Sequence, residues 1–312
     1  MKYVWIAFGI AVFTFAAVII GLQKGSPTAP NEDGRIQIAA TIYPLYDMVR
    51  EVAGEYADVN LIVPPGASPH FFEFSPRQLQ DLQTADTLFE IGHGIDRWAS
   101  RLEAIAPTVQ RVILDKGIVL RNEASHEEET ENNANDADED TSGIDPHYWL
   151  HFGNARVMVS TIAERLAAID PIHAPSYREN AARYQDRLSE KEQEMISLLA
   201  SVRGKEILTL HDAWYYFSDN LGLVVAGTFE PAAGGEPTPR YLANLRAKIK
   251  EYGISVLFSE PQLATPSLSA FAQDERLRLG ILDPIGGVEG RMTFMELMEY
   301  NARSILAAFS AL

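Results

Sequence analysis

Residues 176–202, SYRENAARYQDRLSEKEQEMISLLASV, decide the architecture expected of this chain. Apolar residues recur in this segment at close to the 3.6-residue period of an α-helix, with one interruption at Lys191. The opposite face is charged, and Gly204 ends the pattern. At 1.5 Å per residue such a helix would span about 40 Å. We therefore interpret this segment as a rigid connector between two lobes.

Short apolar runs alternate with helical patterns on both sides of this connector. The runs before it cover residues 36–42, 59–63, 87–91 and 111–114, and those after it cover 206–210, 223–228, 255–258 and 279–282. Alternation of strands and helices is typical of parallel sheets that helices cover on their faces. The sequence therefore predicts an α/β fold of two lobes, each with a parallel sheet flanked by helices, joined by one long rigid helix.

The chain of 312 residues divides accordingly into four segments. We predict an N-terminal membrane anchor or signal plus linker over 1–34, a first lobe over 35–175, the linking helix over 176–203 and a second lobe over 204–312. Residues 3–22 carry no charge, and a helix of this length reaches the roughly 30 Å of a hydrocarbon core. We favour a retained anchor over a cleaved signal peptide, and both export the rest of the chain.

An acidic loop over 122–145 interrupts the first lobe. Residues 123–145 contain ten acidic residues and no Lys or Arg, a composition that favours a solvated loop. In one interpretation of this loop, its carboxylates and His126 form a weak accessory cation site. The whole chain has a net charge of −17, which argues against nucleic acid as a partner. The absence of cysteine excludes disulfides and thiolate metal sites.

Metal-competent side chains stand just past the carboxyl ends of predicted strands. His70 follows one strand after a Pro-Pro-Gly turn, and His211 and Asp283 directly follow two others. Ligands bind at this edge of open α/β sheets. His147 comes straight after the acidic loop. Neutral imidazole suits Zn²⁺, which takes four ligands in a tetrahedron, so three histidines and one carboxylate would form a fitting set.

Short motifs add a family resemblance to this pattern. They are PPGASPHFFEFSP (64–76), DPHYWL (145–150) with Asn154-Ala155, HDAWYYF (211–217), GEPTP (235–239) with SEPQ (259–262), and LDPIG (282–286). In this order they resemble segments of the zinc- and manganese-specific solute-binding proteins of bacterial ABC importers, of the high-affinity zinc-uptake type (cluster A-I). The resemblance runs from about residue 36 to the C-terminus.

The resemblance implies a fold and a ligand set. The fold is two α/β lobes joined by one long helix, with the metal in the cleft between them. The implied ligands are His70, His147, His211 and Asp283, the last acting directly or through water. Glu260 would orient a ligand histidine, because imidazole ligands usually donate their second N–H to a carboxylate. We do not expect His151, one helical turn after His147, to be a ligand.

The function that the resemblance implies is metal capture without catalysis. An extracytoplasmic monomer would bind Zn²⁺ and deliver it to an ABC permease in the cytoplasmic membrane. Histidine at position 211 is similar to the zinc-type members, whereas manganese-type members tend to have Glu there. A manganese- or iron-binding member of the same family is the nearest alternative.

Two alternatives belong to other functional classes. One is a surface adhesin that carries a metal. The other is a zinc hydrolase with Glu73 or Glu260 as general base, although the sequence contains no HExxH helix and no nucleophile elbow.

Overall fold

The computed structural model describes residues 35–122, 143–230, 234, 237–263 and 266–310. The anchor or signal expected over 3–22 and His126 of the acidic loop lie outside these residues. Within the described part, no helix is both long enough and apolar enough to cross a bilayer.

The first lobe is built on a four-stranded parallel sheet. Its strands are β1 (Ile36–Ala40), β2 (Ala57–Leu61), β3 (Thr87–Glu90) and β4 (Gln110–Ile113), in the order β2-β1-β3-β4. Its helices are α1 (Tyr43–Ala53), α2 (Pro76–Gln83), the short α3 (Leu102–Ile105) and α4 (Phe152–Ile169). The four predicted strands are thus confirmed to within two residues at each end.

The second lobe repeats this topology. Its strands are β5 (Glu206–Thr209), β6 (Val224–Thr228), β7 (Val256–Ser259) and β8 (Arg278–Ile281), which pair in parallel in the order β6-β5-β7-β8. Its helices are α6 (Tyr215–Leu221), α7 (Pro239–Tyr252), α8 (Pro266–Asp274) and α9 (Phe294–Ser310). The Thr238 side chain caps α7 by accepting from Tyr241 N at 3.2 Å, as the sequence predicts. The α/β class with two parallel sheets is confirmed.

The long connecting helix is α5 (Ala174–Leu198), and a 3₁₀ turn (Ala200–Val202) follows it. It begins two residues before the predicted start because Pro175 occupies its first turn, where the missing N–H breaks no helical hydrogen bond. Its buried face packs on α1 and α4. Asn180 Nδ2 donates to Val52 O at 3.0 Å, so the connecting helix is also bonded to the first lobe.

A buried carboxylate, Asp47 of α1, joins three helices. Its Oδ2 accepts from Tyr184 Oη of α5 at 3.1 Å and from Phe294 N at the start of α9 at 2.8 Å. Burial raises the pKa of Asp47 to about 6. The folded state therefore binds this proton more tightly than the unfolded chain does, and Asp47 lowers the stability as the pH rises from about 4 to about 6.

Replacing Asp47 by asparagine is expected to stabilise the fold at neutral pH. An amide oxygen can still accept both hydrogen bonds, while the cost of a buried charge disappears. The expected gain is about 2 kcal/mol at pH 7.5, with none at pH 4. Urea unfolding at both pH values measures it, and Asp219→Asn, at an exposed position, is the matched control. A variant that is less stable at pH 7.5 would contradict this account of Asp47.

Candidate metal centre

His70 stands in a turn that follows β2. The chain reverses at Gly66, whose φ of +78° is a left-handed conformation that glycine adopts without strain. A 3₁₀ turn, Pro69–Phe71, then carries the histidine. Trp98 Nε1 donates to Pro69 O at 3.2 Å and ties this turn to the loop after β3. The imidazole of His70 is thereby held at the carboxyl edge of the first sheet.

His147 is held by a carboxylate two residues before it. Asp145 Oδ1 accepts from the backbone N–H of His147 at 2.9 Å and lies 3.0 Å from Nδ1 of the ring. The 3₁₀ turn that follows, Tyr148–Leu150, is fully buried. Its Trp149 Nε1 donates to Pro284 O of the second lobe at 3.0 Å. The second ring nitrogen of His147, Nε2, is buried and has no hydrogen-bond partner.

His211 comes from the second lobe, two residues beyond β5. Thr209 Oγ1 donates to His211 O at 3.1 Å and fixes the backbone there. Oε1 of Glu260, which follows β7, lies 2.7 Å from His211 Nδ1 and also accepts from Trp214 Nε1 at 2.8 Å. The remaining nitrogen, Nε2, is again buried without a hydrogen-bond partner. Glu260 thus lies beside His211, and its role in orienting a ligand histidine stays a prediction.

The three imidazoles converge in the cleft between the lobes. Ring centroids are 5.5 Å apart for His70 and His147, 5.6 Å for His70 and His211, and 5.2 Å for His147 and His211. One nitrogen from each ring lies within 4.8 Å of the others. Buried nitrogen acceptors without partners are costly, and a cation among them would relieve that cost. A tetrahedral zinc ion with Zn–N bonds of about 2.0–2.1 Å would draw these nitrogens to about 3.4 Å from one another.

The electrostatic surroundings give the three histidines different proton affinities. Burial lowers the pKa of His147 well below its usual value, and burial together with the neighbouring imidazoles does the same for His70. Burial also opposes the charged form of His211, but the Glu260 carboxylate outweighs it and raises the pKa of His211. Two of the three rings are therefore neutral at pH 7 and have a nitrogen lone pair available for a metal.

The structure does not bring Asp283 into the histidine group. Its Oδ1 accepts from Ile285 N at 3.0 Å, from Gly286 N at 3.1 Å and from Gln262 Nε2 at 2.9 Å. Arg291 Nη1 lies 3.0 Å from its Oδ2. Among the described residues, the metal-competent group consists of the three histidines alone. The role of Asp283 as a ligand, direct or through water, stays a prediction.

The remaining histidines of the described residues lie outside the group. His151 accepts from Gly153 N at 2.9 Å and caps α4, whereas His93 and His173 face Asp115 and Asp170. Reasoning from the sequence missed Asp145 as a partner of His147. The spacing Asp-Pro-His was a usable signal, since a carboxylate two residues before a histidine readily reaches its backbone N–H and its ring.

A family model matches most of this chain. The model describes the periplasmic zinc-uptake complex component A (ZnuA) and matches residues 38–308. Among solved structures, the crystal structure of a zinc-bound ZnuA deletion mutant has a TM-score of 0.75 and 25% sequence identity. The likeness covers 88% of this chain and 98% of that one.

Curated relatives bind two different metals. The zinc-binding protein AdcA of Streptococcus pyogenes is 25% identical over 266 residues, which cover 82% of this chain and 52% of AdcA. The chain thus spans about half the length of the zinc-binding relatives it matches. The manganese-binding lipoprotein MntA of Halalkalibacterium halodurans is 26% identical, with 99% of this chain and 100% of MntA covered.

Proposed function

The chain belongs to the ZnuA family of zinc-uptake complex components, and from this premise we propose that it captures one Zn²⁺ ion in the interlobe cleft. The observation that carries the proposal is the convergence of three imidazole nitrogens, two of them buried without hydrogen-bond partners. His70 and His147 would bind the ion from the first lobe and His211 from the second. Glu260 and Asp145 would hold two of these rings in their binding tautomer.

The donor set favours zinc over manganese. Manganese sites are richer in carboxylate and water oxygens, whereas borderline-soft Zn²⁺ binds readily to three imidazoles. The zinc-bound ZnuA structure and the zinc-binding AdcA support this choice. The manganese-binding MntA makes Mn²⁺ the competitor that an experiment has to include.

Capture and release require no catalysed step. Glu260 is engaged by His211 and Trp214, and Glu73 is exposed, so neither is placed as a general base beside a metal-bound water. We infer that this is a binding protein, and that its partner is an ABC permease to which it delivers zinc outside the cytoplasm. The periplasmic description of the family and the lipoprotein relatives support this location.

Metal competition tests the proposal. The full chain is stripped of metal, offered equal concentrations of Zn²⁺ and Mn²⁺, and analysed by native mass spectrometry. We expect one tightly held zinc ion per chain. Retention of manganese in its place would assign the chain to the manganese-binding members, and retention of neither metal would refute the proposed function.

A further inference from the structure

Gln262, two residues beyond Glu260, has an amide group with two different environments. Its Nε2 donates to Asp283 Oδ1 at 2.9 Å. Its Oε1 is buried and has no hydrogen-bond partner among the described residues. The same side chain lines the cleft together with His70, His147 and His211. A buried amide oxygen without a donor is costly, so this oxygen calls for a positively charged or hydrogen-bonding partner in the cleft.

The hydrogen bonds of Asp283 fix which end of the amide faces the cleft. Asp283 Oδ1 already accepts from the backbone N–H groups of Ile285 and Gly286. It is therefore an acceptor, and only the NH₂ end of Gln262 can face it favourably. The opposite orientation would set two oxygens against each other at hydrogen-bond distance. The loop after β8 thus determines the orientation of a side chain in the loop after β7.

One carboxylate oxygen of the cleft lining, Glu260 Oε2, is also buried without a hydrogen-bond partner among the described residues. Neither Glu260 nor Asp283, however, has an oxygen in the group of ligand atoms that lie within 4.8 Å of one another, and Glu260 is already paired with His211. Asp283 is engaged through both oxygens, by Arg291 on Oδ2 and by three N–H groups on Oδ1. Three histidines leave one position of a tetrahedral zinc site to be filled.

We propose that Gln262 Oε1 supplies this fourth donor to the cargo metal and that Asp283 acts through Gln262, as its positioning residue. This inference rests on the proposed zinc-binding function. A neutral amide oxygen binds zinc more weakly than a carboxylate does, and it leaves the charge of the ion uncompensated by its ligands. Such a site holds the ion mainly through its imidazoles and has one donor that exchanges easily, which suits a protein that must release its cargo.

A double-mutant cycle distinguishes this arrangement from direct ligation by Asp283. We expect Gln262→Leu to weaken zinc binding about tenfold to a hundredfold, the range for groups that tune a metal site. Asp283→Ala should weaken it similarly, because the amide loses its orientation. The double variant should bind no more weakly than Gln262→Leu alone, since both changes remove one interaction. Gln273→Leu, at an exposed position of the same lobe, is the matched control.

Two results would overturn the inference. One is a further loss of affinity when Asp283→Ala is added to Gln262→Leu, which would make Asp283 itself a ligand. The other is an unchanged Co²⁺ absorption spectrum in Gln262→Leu, because removing an oxygen donor must shift the d–d bands. The spectrum decides the case even if Asp283→Ala does not fold. Failure of the wild-type chain to retain zinc would instead refute the proposed function, so the two failures are distinguishable.

Discussion

Replacing His147 by alanine is expected to weaken zinc binding by about two to three orders of magnitude. Zinc sites with a full set of protein ligands bind with roughly 10–16 kcal/mol, or about 2.5–4 kcal/mol for each of four ligands. Each 1.4 kcal/mol corresponds to about a tenfold change in affinity. His147 should show this effect in full, because Asp145 and the buried turn after it hold its ring in place before the metal arrives.

His173→Ala is the matched control for this loss. His173 stacks on Tyr56 with ring centroids 4.2 Å apart and lies outside the metal-competent group, so its removal should leave the zinc affinity unchanged. Chelator competition measures the affinities. Thermal unfolding with and without zinc provides a second readout, because an ion at about a thousand times its Kd stabilises the fold by about 4 kcal/mol. His147→Ala with wild-type affinity would remove this residue from the site.

The strands and the convergence of the histidines follow from the sequence for the same physical reason. Parallel strands all end at one edge of their sheet. His70 is thereby brought to the carboxyl edge of the first sheet and His211 to that of the second, and the two rings meet in the cleft although they are far apart in the chain. Hydrophobic runs with turn signals between them locate the strand ends to within two residues. This accuracy is enough to predict which residues lie just beyond the carboxyl end of a strand, and the site is built from such residues.

The partners of these histidines are harder to predict from the sequence. Glu260 was expected beside a ligand histidine, but its second partner, Trp214, comes from the residue just before α6, a contact that only the folded structure reveals. Asp283 is held by hydrogen bonds from Gln262 and two backbone N–H groups and by an ion pair with Arg291. These contacts form only when the loop after β7 and the loop after β8 both adopt their folded conformations. The type and spacing of a residue show that its side chain is able to bind a metal. They do not show whether hydrogen-bond donors and cationic side chains of the protein already engage that side chain.

Zinc affinity is expected to fall about tenfold for each pH unit below the pKa of His211. Glu260 raises that pKa, whereas burial lowers the pKa of His70 and of His147. Near neutral pH, therefore, His211 is the one member of the trio that binds a proton in competition with zinc. Its imidazolium must lose that proton before the metal binds, so acidification favours release and a rise in pH favours capture.

Glu260→Gln is expected to remove most of this pH dependence while lowering the affinity about tenfold to a hundredfold. The amide oxygen can still accept from both Trp214 Nε1 and His211 Nδ1, which share Oε1 in the wild-type chain. Without the Glu260 charge, however, burial is opposed by less negative charge, and the pKa of His211 falls. The number of protons released on zinc binding at pH 6.5, obtained by calorimetry in buffers of different ionisation enthalpy, should be clearly smaller in Glu260→Gln than in the wild-type chain.

The matched control for this experiment is Glu275→Gln, because Glu275 pairs with Arg246 in the second lobe and does not line the cleft. It should keep the wild-type affinity and the wild-type pH dependence. If Glu260→Gln released as many protons as the wild-type chain, the competing proton would belong to another group. Glu260 would then orient His211 without controlling its charge. If the expected loss is observed, one buried carboxylate both holds the ligand in place and sets the pH at which the metal is released.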